Sequence, residues 1–302
     1  MPKTLVVLVG PTGIGKTSMG IKIADHFQTE IVSADSRQLF REMEIGTAVP
    51  SPSERAAIKH HFIQTHSIHT NYNASRFENE AIELIEKLFK KHDTVIMVGG
   101  SMLYIDAVCN GIDRMPDADL EIRTQLKKQL KEDGIESLRL QLKTLDPDYY
   151  SQVDLKNPNR IVHALEICLT TGRPYSSFRK NTKKERPFSI VKIGLDCDRN
   201  LLHQRINKRV DEMIKLGLEN EARQLYRFKN NTALNTVGYR ELFAYFDNEI
   251  SIERATELIK RNTRRYARKQ LTWFRKDEEM NWFEPSQGNE IIRFIDEKTK
   301  TK

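Results

Sequence analysis

The sequence contains few cysteines and no long apolar run, and each absence excludes a class of protein. Its 302 residues include three cysteines, Cys109, Cys168 and Cys197. This odd, widely spaced set excludes a disulfide framework and a Cys₄ zinc site. No apolar segment approaches the roughly 18 residues that a membrane-spanning helix needs. We therefore expect a soluble protein of a reducing cytoplasm that has no membrane association.

Acidic residues are missing from one segment of the chain. The 49 lysines and arginines exceed the 42 aspartates and glutamates by 7, and such an excess favours a polyanionic partner. The segment from Lys260 to Lys276 contains eight basic residues and no acidic one. Subtracting these eight from the excess of seven leaves the rest of the chain at −1. The basic excess is therefore local.

This basic segment has the spacing of a helix. Ile259, Tyr266 and Trp273 are seven residues apart, so we expect them to face the core. An ordinary solvated face mixes charges of both signs, so we favour a face that binds a phosphodiester backbone over that alternative. The arginines on the opposite face are Arg261, Arg264, Arg265 and Arg268, continued by Arg275.

Strand and helix signals alternate in the first hundred residues. Such alternation predicts an α/β fold in which helices flank a parallel sheet. A capping box from Ser75 to Glu78 predicts the start of the helix that precedes the third strand. The predicted strands are 4–9, 30–34, 94–98, 188–196 and 281–283.

The pattern changes near Met115. Residues 117–180 show helical periodicity with almost no strand signal, and the last of these helices ends at Gly172. We therefore expect a helical insertion domain at 117–180. The core that it interrupts is formed by 1–116 and 181–302.

A phosphate-binding loop follows the first strand, because residues 10–17 match G-x-x-x-x-G-K-[ST] between a strand and a helix. Backbone N–H groups of such a loop surround a phosphate, and the helix dipole assists them. We expect Lys16 to contact the terminal phosphate and Thr17 to offer its hydroxyl to Mg²⁺. The loop consists of Gly10, Pro11, Thr12, Gly13, Ile14, Gly15, Lys16 and Thr17.

The acid that helps most P-loop NTPases to hold Mg²⁺ is missing, because strand 94–98 is followed by Gly99-Gly100-Ser101. This weakens the interpretation as a motor or switch NTPase and leaves room for a substrate whose diphosphate is the leaving group. Asp35 is the strand-end carboxylate that we identify. Ligands bind at the carboxyl ends of parallel strands, so Asp35 and the P-loop are expected to share a cleft. A helix N-cap at Asp35 or Ser36, a Mg²⁺ ligand and a catalytic base remain alternatives.

Two further pairs of residues are candidates. Arg205 and Arg209 share a helix face, so they are either a diphosphate clamp or a surface pair. His60 and His61 have no carboxylate or thiolate nearby at ligand spacing. We take these histidines as structural or substrate-contacting.

Seven segments together resemble bacterial tRNA dimethylallyltransferases. They extend over roughly residues 4–276 and occur in the order of that family. The segments are GPTGIGKT, DSRQLFREMEIGTA, VGGSMLYIDAVCNG, NPNRIVHALEICLTTGRPYS, LHQRINKRVDEMI, TVGYRE and TRRYARKQLTWFR.

The resemblance implies a P-loop kinase-like core with a helical insertion. It also implies transfer of a dimethylallyl group from dimethylallyl diphosphate to N6 of the adenosine immediately 3′ of the anticodon in tRNA. Mg²⁺ is the implied cofactor, and the anticodon stem-loop is the implied partner. No exposed apolar seam indicates a protein partner, so we expect a monomer. A small-molecule kinase and a prenyltransferase of free AMP or ATP are the alternatives.

Residue roles follow from the same resemblance. Asp35 is implied as the general base, Thr17 as the Mg²⁺ or diphosphate contact, and Arg209 as the diphosphate-binding arginine. The implied tRNA contacts are Asp35, Ser36, Arg37, Gln38, Ser101, Arg123, Arg160, Thr263, Arg264, Arg265, Arg268, Lys269 and Gln270.

Overall fold

The structure is a computed structural model, and it forms two compact units. Each unit has a hydrophobic core of its own. The first unit is Met1–Cys109 with Glu185–Lys302, and the second is Asn110–Lys184. The described residues are 3–113, 115–116, 119–180 and 182–300.

The first unit is built on a six-stranded sheet with the order β3-β2-β4-β1-β5-β6. All of its neighbouring strands are parallel, which confirms the predicted sheet. Strand β3 was not predicted, because two residues are too few to show an apolar pattern. The strands are β1 Thr4–Val9, β2 Ile31–Ala34, β3 His60–His61, β4 Thr94–Gly99, β5 Ser189–Leu195 and β6 Asn281–Phe283.

The central strand β1 is buried on both faces. Leu5 and Val7 belong to one apolar cluster, whereas Val6 and Leu8 belong to another. Successive side chains of a strand point to opposite faces, so the two clusters are the layers between the sheet and its helices. This sandwiching explains why β1 is a continuous apolar run.

Helices cover the sheet and form the second unit. Among the described residues, none of them has the length and apolar character needed to cross a membrane. The helices are α1 Lys16–His26, α2 Pro52–Ala57, α3 Ala74–Phe89, α4 Met102–Asn110, α5 Leu120–Glu132, α6 Ile135–Leu145, α7 Pro147–Tyr150, α8 Pro158–Thr171, α9 Arg199–Lys215, α10 Leu218–Leu225, α11 Tyr239–Phe246, α12 Ile252–Phe274 and α13 Gly288–Lys300.

The predicted start of α3 is wrong. Its N-cap is Asn73, whose side chain accepts a hydrogen bond from Arg76 N at 2.9 Å. Ser75 therefore lies inside the helix. Glu78 is 3% exposed and accepts a hydrogen bond from Arg186 at 2.9 Å. The capping-box pattern failed because a better cap precedes it by two residues and because the glutamate is needed to pair a buried arginine.

The second unit is helical, with Leu138, Leu142, Ile161 and Leu165 in its core. Helix α8 ends at Gly172 in the left-handed region, with φ of 67°, which confirms the predicted stop. Position 117, the predicted start of the insertion, lies outside the described residues, as does position 181. The predicted boundaries stay predictions.

Candidate active site

The loop between β1 and α1 has the geometry expected of a phosphate cradle. It begins directly after Val9 and ends where α1 begins at Lys16. Gly13 and Gly15 have φ of 83° and 105°, a region that glycine enters without the steric cost of a Cβ. The strand, loop and helix context of the motif is therefore present.

Lys16 is held in the loop by carbonyl groups, and no carboxylate among the described residues forms an ion pair with it. Its Nζ donates to the carbonyls of Gly10 and Pro11, both at 2.9 Å. Burial and the nearby charge of Arg209 lower the pKa of Lys16 to about 7, although Asp35 opposes the shift. A bound phosphate would supply the negative charge that this ammonium lacks.

Asp35 follows β2 and closes a turn; no helix begins there, so the N-cap alternative is wrong. Its Oδ1 accepts hydrogen bonds from Arg37 N at 2.8 Å and Gln38 N at 3.2 Å. Among the described residues no donor is bonded to the other oxygen, Oδ2. One carboxylate oxygen thus fixes the orientation, and the second is left to face a ligand.

The neighbours of Asp35 make internal contacts. Ser36 N donates to Ser101 Oγ at 2.8 Å, which joins the ends of β2 and β4. Arg37 Nη1 donates to the Ala233 carbonyl at 3.0 Å. Gln38 Nε2 donates to the Thr47 carbonyl at 3.1 Å. These four predicted tRNA residues therefore shape the cleft wall, and their contact with RNA stays a prediction.

Both arginines of the α9 pair reach the P-loop side of the sheet. Arg205 Nη1 donates to the Ile14 carbonyl at 3.3 Å. The guanidinium of Arg209 forms no hydrogen bond or ion pair with the residues that the structure describes. Burial lowers the pKa of Arg209, and the charge of Asp35 opposes that effect. A half-buried guanidinium without a partner is the kind of group that an anionic ligand satisfies.

Two cavities meet at this point. The P-loop cavity, about 570 Å³, is lined by Gly13, Lys16 and Thr17 among others. The second cavity, about 320 Å³, has an apolar wall that includes Ile206 and Met213, although charged residues such as Arg37 and Arg240 also line it; we call it the apolar cavity after that wall. The residues that line both are Thr12, Asp35, Thr47, Arg209 and Tyr266. The carboxylate therefore lies where the P-loop cavity meets the cavity that has the apolar wall.

The prediction that Tyr266 faces the core is wrong. The tyrosine lines both cavities, and burial raises its pKa to about 12. Ile259 is 2% exposed as expected, and Trp273 donates to Asp106 at 2.9 Å. A seven-residue spacing identifies one side of a helix, but it does not distinguish core from cavity. Thr47, which was not predicted as a site residue, lies in the DSRQLFREMEIGTA segment.

The basic helix α12 presents several free cations. Arg264 donates to Asn207 at 2.5 Å, and Lys260 pairs with Asp211 at 2.6 Å. In the described part of the chain, the exposed basic side chains of α12 that form no hydrogen bond or ion pair are those of Arg261, Arg265, Arg268 and Lys269. A further cavity of about 400 Å³ lies between α12 and the start of α9 and includes Arg199 and His203. This surface has the charge expected for a phosphodiester backbone.

The remaining predicted tRNA residues differ in exposure. Thr263 lines the apolar cavity. Gln270 is 2% exposed and bonded at both ends of its amide. In the second unit, Arg123 donates two hydrogen bonds to the buried Glu166, at 3.1 and 2.8 Å, whereas Arg160 is exposed at the start of α8.

The donor set suits a weakly held divalent cation. The described residues contain no group of three or more His, Cys, Asp or Glu placed to hold a metal ion. Thr17 and Asp35 line the P-loop cavity, and the Thr17 hydroxyl has no partner among the described residues. Mg²⁺ commonly uses one or two protein ligands together with phosphate oxygens and water. His60 and His61 are occupied by the Ile58 carbonyl and Glu30, at 2.7 and 2.6 Å.

The fold and the site define a P-loop α/β protein whose phosphate cradle opens on a carboxylate. The IPP transferase family matches residues 38–277, and the chain belongs to this family. The structural neighbours share the predicted fold class, which is confirmed.

Similar proteins cover almost the whole chain. One, named tRNA dimethylallyltransferase 1, from Phocaeicola vulgatus, is 51% identical over 98% of each chain. Another, named tRNA dimethylallyltransferase, from Christiangramia forsetii, is 53% identical over both full lengths. The solved tRNA isopentenylpyrophosphate transferase of Bacillus halodurans is 33% identical, with a TM-score of 0.73 over 99% of this chain and 97% of its own. A eukaryotic dimethylallyltransferase acting on tRNA gives 25% identity and a TM-score of 0.78 over 93% and 74%.

Proposed function

We propose that this protein transfers the dimethylallyl group of dimethylallyl diphosphate to N6 of the adenosine immediately 3′ of the anticodon in tRNA. The observation that carries the proposal is the boundary between the two cavities. There Asp35, Arg209 and Tyr266 line both the P-loop cavity and the apolar cavity. An allylic diphosphate has an anionic end, which suits the P-loop, and an apolar end, which suits the wall that includes Ile206 and Met213.

Asp35 is proposed to act on the nucleophile. The lone pair of the adenine amine is delocalised into the ring, so the amine attacks carbon poorly without help. A carboxylate oxygen that accepts the amine proton increases the electron density on nitrogen during attack. The two backbone N–H groups on Oδ1 hold the carboxylate, and Oδ2 is available for the substrate.

The cations act on the leaving group. Carbon–oxygen cleavage leaves negative charge on the diphosphate, and fixed positive charges lower the barrier to that step. Lys16, Arg209 and the P-loop amides are the groups proposed to receive this charge. When bound, Mg²⁺ would supply further charge neutralisation, with Thr17 as its protein ligand. The acceptor base must leave its stack to reach a cleft of this kind.

tRNA is the proposed acceptor, with the anticodon stem-loop held by its backbone. The free cations of α12 suit such contacts, because phosphate contacts fix register without reading sequence. The names of the relatives support tRNA as the substrate. A monomeric state and a cytoplasmic location stay predictions from the sequence.

The decisive experiment is label transfer. The protein is incubated with labelled dimethylallyl diphosphate, Mg²⁺ and a tRNA that has adenosine 3′ of the anticodon. Label is expected in that tRNA, and none is expected in a matched tRNA with guanosine at this position. If the tRNA that has adenosine at this position carries no label after the reaction, the proposal is refuted. Labelled AMP in a parallel reaction, or phosphate transfer from ATP, would support the two alternative activities instead.

A further inference from the structure

The side chain of Gln270 is buried within the most basic segment of the chain. It follows the exposed Arg268 and Lys269 on α12, yet it is only 2% exposed. Its Oε1 accepts a hydrogen bond from Thr12 N at 2.9 Å. Its Nε2 donates to the Gly100 carbonyl at 2.8 Å. Because the side chain is buried and each end of its amide is bonded to another part of the protein, it is not presented to RNA.

These two bonds join the basic helix to the catalytic loops. Thr12 belongs to the P-loop and lines both cavities. Gly100 lies at the end of β4, and the next residue, Ser101, accepts the hydrogen bond from Ser36 beside Asp35. The Gln270 amide therefore connects the phosphate cradle to the segment that carries the carboxylate.

The contact is close enough to restrict its partner. A Cβ at Gly100 would lie 2.3 Å from Gln270 Nε2, a distance at which one of the two groups must shift. Gly100 therefore fits the amide in two ways. It has no side chain where the amide lies, and its carbonyl accepts the hydrogen bond. Fixing a loop in its binding geometry before the ligand arrives reduces the cost of binding.

We propose that Gln270 is a positioning residue for the P-loop and does not contact tRNA. It fixes the Thr12 end of the cradle against the end of β4, so that the loop amides are in place for the diphosphate. This inference rests on the proposed function, because it takes the P-loop ligand to be a diphosphate. Under this proposal the adjacent residues Lys269 and Gln270 of α12 serve different substrates, Lys269 the tRNA and Gln270 the diphosphate.

The test compares Gln270→Met with the matched control Lys269→Met, which introduces the same side chain one residue away. Calorimetry gives the Kd of inorganic diphosphate with Mg²⁺, and a separate titration gives the Kd of an anticodon stem-loop RNA. Gln270→Met is expected to weaken diphosphate binding about tenfold, which corresponds to the loss of one buried hydrogen-bonded amide, and to leave RNA affinity unchanged. Lys269→Met is expected to weaken RNA binding alone. The inference is overturned if Gln270→Met weakens RNA binding as much as Lys269→Met does, or leaves diphosphate binding unaffected.

Steady-state kinetics separate positioning from general damage to the fold. Gln270→Met should raise KM for dimethylallyl diphosphate and lower kcat, while KM for tRNA stays constant. A defect in folding would reduce the active fraction and leave both KM values unchanged, which would contradict the inference.

Gly100→Ala supplies a second variant that leaves Gln270 in the chain. The new methyl group displaces the amide, so this variant should weaken diphosphate binding as Gln270→Met does. If both act through one bond, the double variant should lose no more affinity than either single variant; additive losses would overturn the inference. These binding results do not depend on label transfer, so a failed transfer assay would refute the proposed function and leave the role of Gln270 standing.

Discussion

Lys16 should take up a proton when the diphosphate binds. The free protein holds its pKa at about 7 through burial and the charge of Arg209, against an ordinary value near 10.4. The difference corresponds to about 5 kcal/mol between the two protonation states. A dianionic ligand in the P-loop cavity removes the reason for this shift, because the ammonium gains an opposite charge. The pKa of Lys16 should then return toward its ordinary range.

The sign of the pH dependence follows from that rise. A free pKa of about 7 leaves roughly nine-tenths of Lys16 neutral at pH 8 and one-tenth at pH 6, so binding should take up about 0.9 proton at pH 8 and 0.1 at pH 6. Diphosphate affinity should be highest below pH 7 and should fall by up to about tenfold per unit above it. The unbound protein should gain stability from this group as the pH rises above 7, because the unfolded chain binds the proton more tightly.

Calorimetry in buffers of different ionisation enthalpy measures this uptake directly. The observed enthalpy of diphosphate binding is plotted against the buffer enthalpy, and the slope gives the number of protons. The control is Lys16→Arg, which keeps a positive charge that does not titrate in this range. Ionisation of the diphosphate itself contributes equally to both proteins. The reasoning fails if the two proteins take up the same number of protons at pH 8.

Other substitutions test the remaining assignments. Asp35→Asn should reduce single-turnover transfer at least about 100-fold and change tRNA affinity less than twofold, and a parallel loss in filter binding would contradict the role of general base. Arg209→Met should weaken diphosphate about tenfold or more without lowering the melting temperature, because the guanidinium has no partner among the described residues; a large drop in melting temperature would show a structural role instead. Tyr266→Phe should keep kcat, whereas Tyr266→Leu should lose about tenfold, since an aromatic face stabilises the developing allylic cation; equal losses would implicate the hydroxyl. The affinity for tRNA falls with salt, and replacing Arg265 and Arg268 with glutamine should make the slope of log affinity against log salt concentration shallower by up to about two. An unchanged slope would show that neither arginine contacts a phosphate.

Local patterns predicted the parts of the molecule that local chemistry determines. The P-loop is a contiguous motif, so the conformation of residues 10–17 follows from the flanking strand and helix alone. The parallel sheet follows from apolar runs that are buried on both faces. Gly172 ended α8 as expected, because the left-handed conformation there suits glycine.

Patterns failed where a residue's role depends on what faces it from a distant part of the chain. Tyr266 has the spacing of a core residue, but two cavities lie on that side of α12. Gln270 belongs to an arginine-rich run, but its amide meets Thr12, 258 positions away in the sequence. Glu78 has the spacing of a capping-box residue, but it pairs with Arg186, which follows the insertion in the sequence. Sequence spacing carries no information about such partners.

The charges around Asp35 suit the binding of an anionic ligand. Burial lowers the pKa values of Lys16, Arg37 and Arg209, and in each case the charge of Asp35 acts in the opposite direction. Glu212 and Glu54 also oppose the shift at Arg209, and desolvated positive charge costs free energy unless negative charge compensates it. A diphosphate would add negative charge at the side of the cleft where Lys16 and Arg209 lie. The arrangement therefore favours the binding of an anionic ligand, and fixed positive charges of this kind stabilise a leaving group on which negative charge develops.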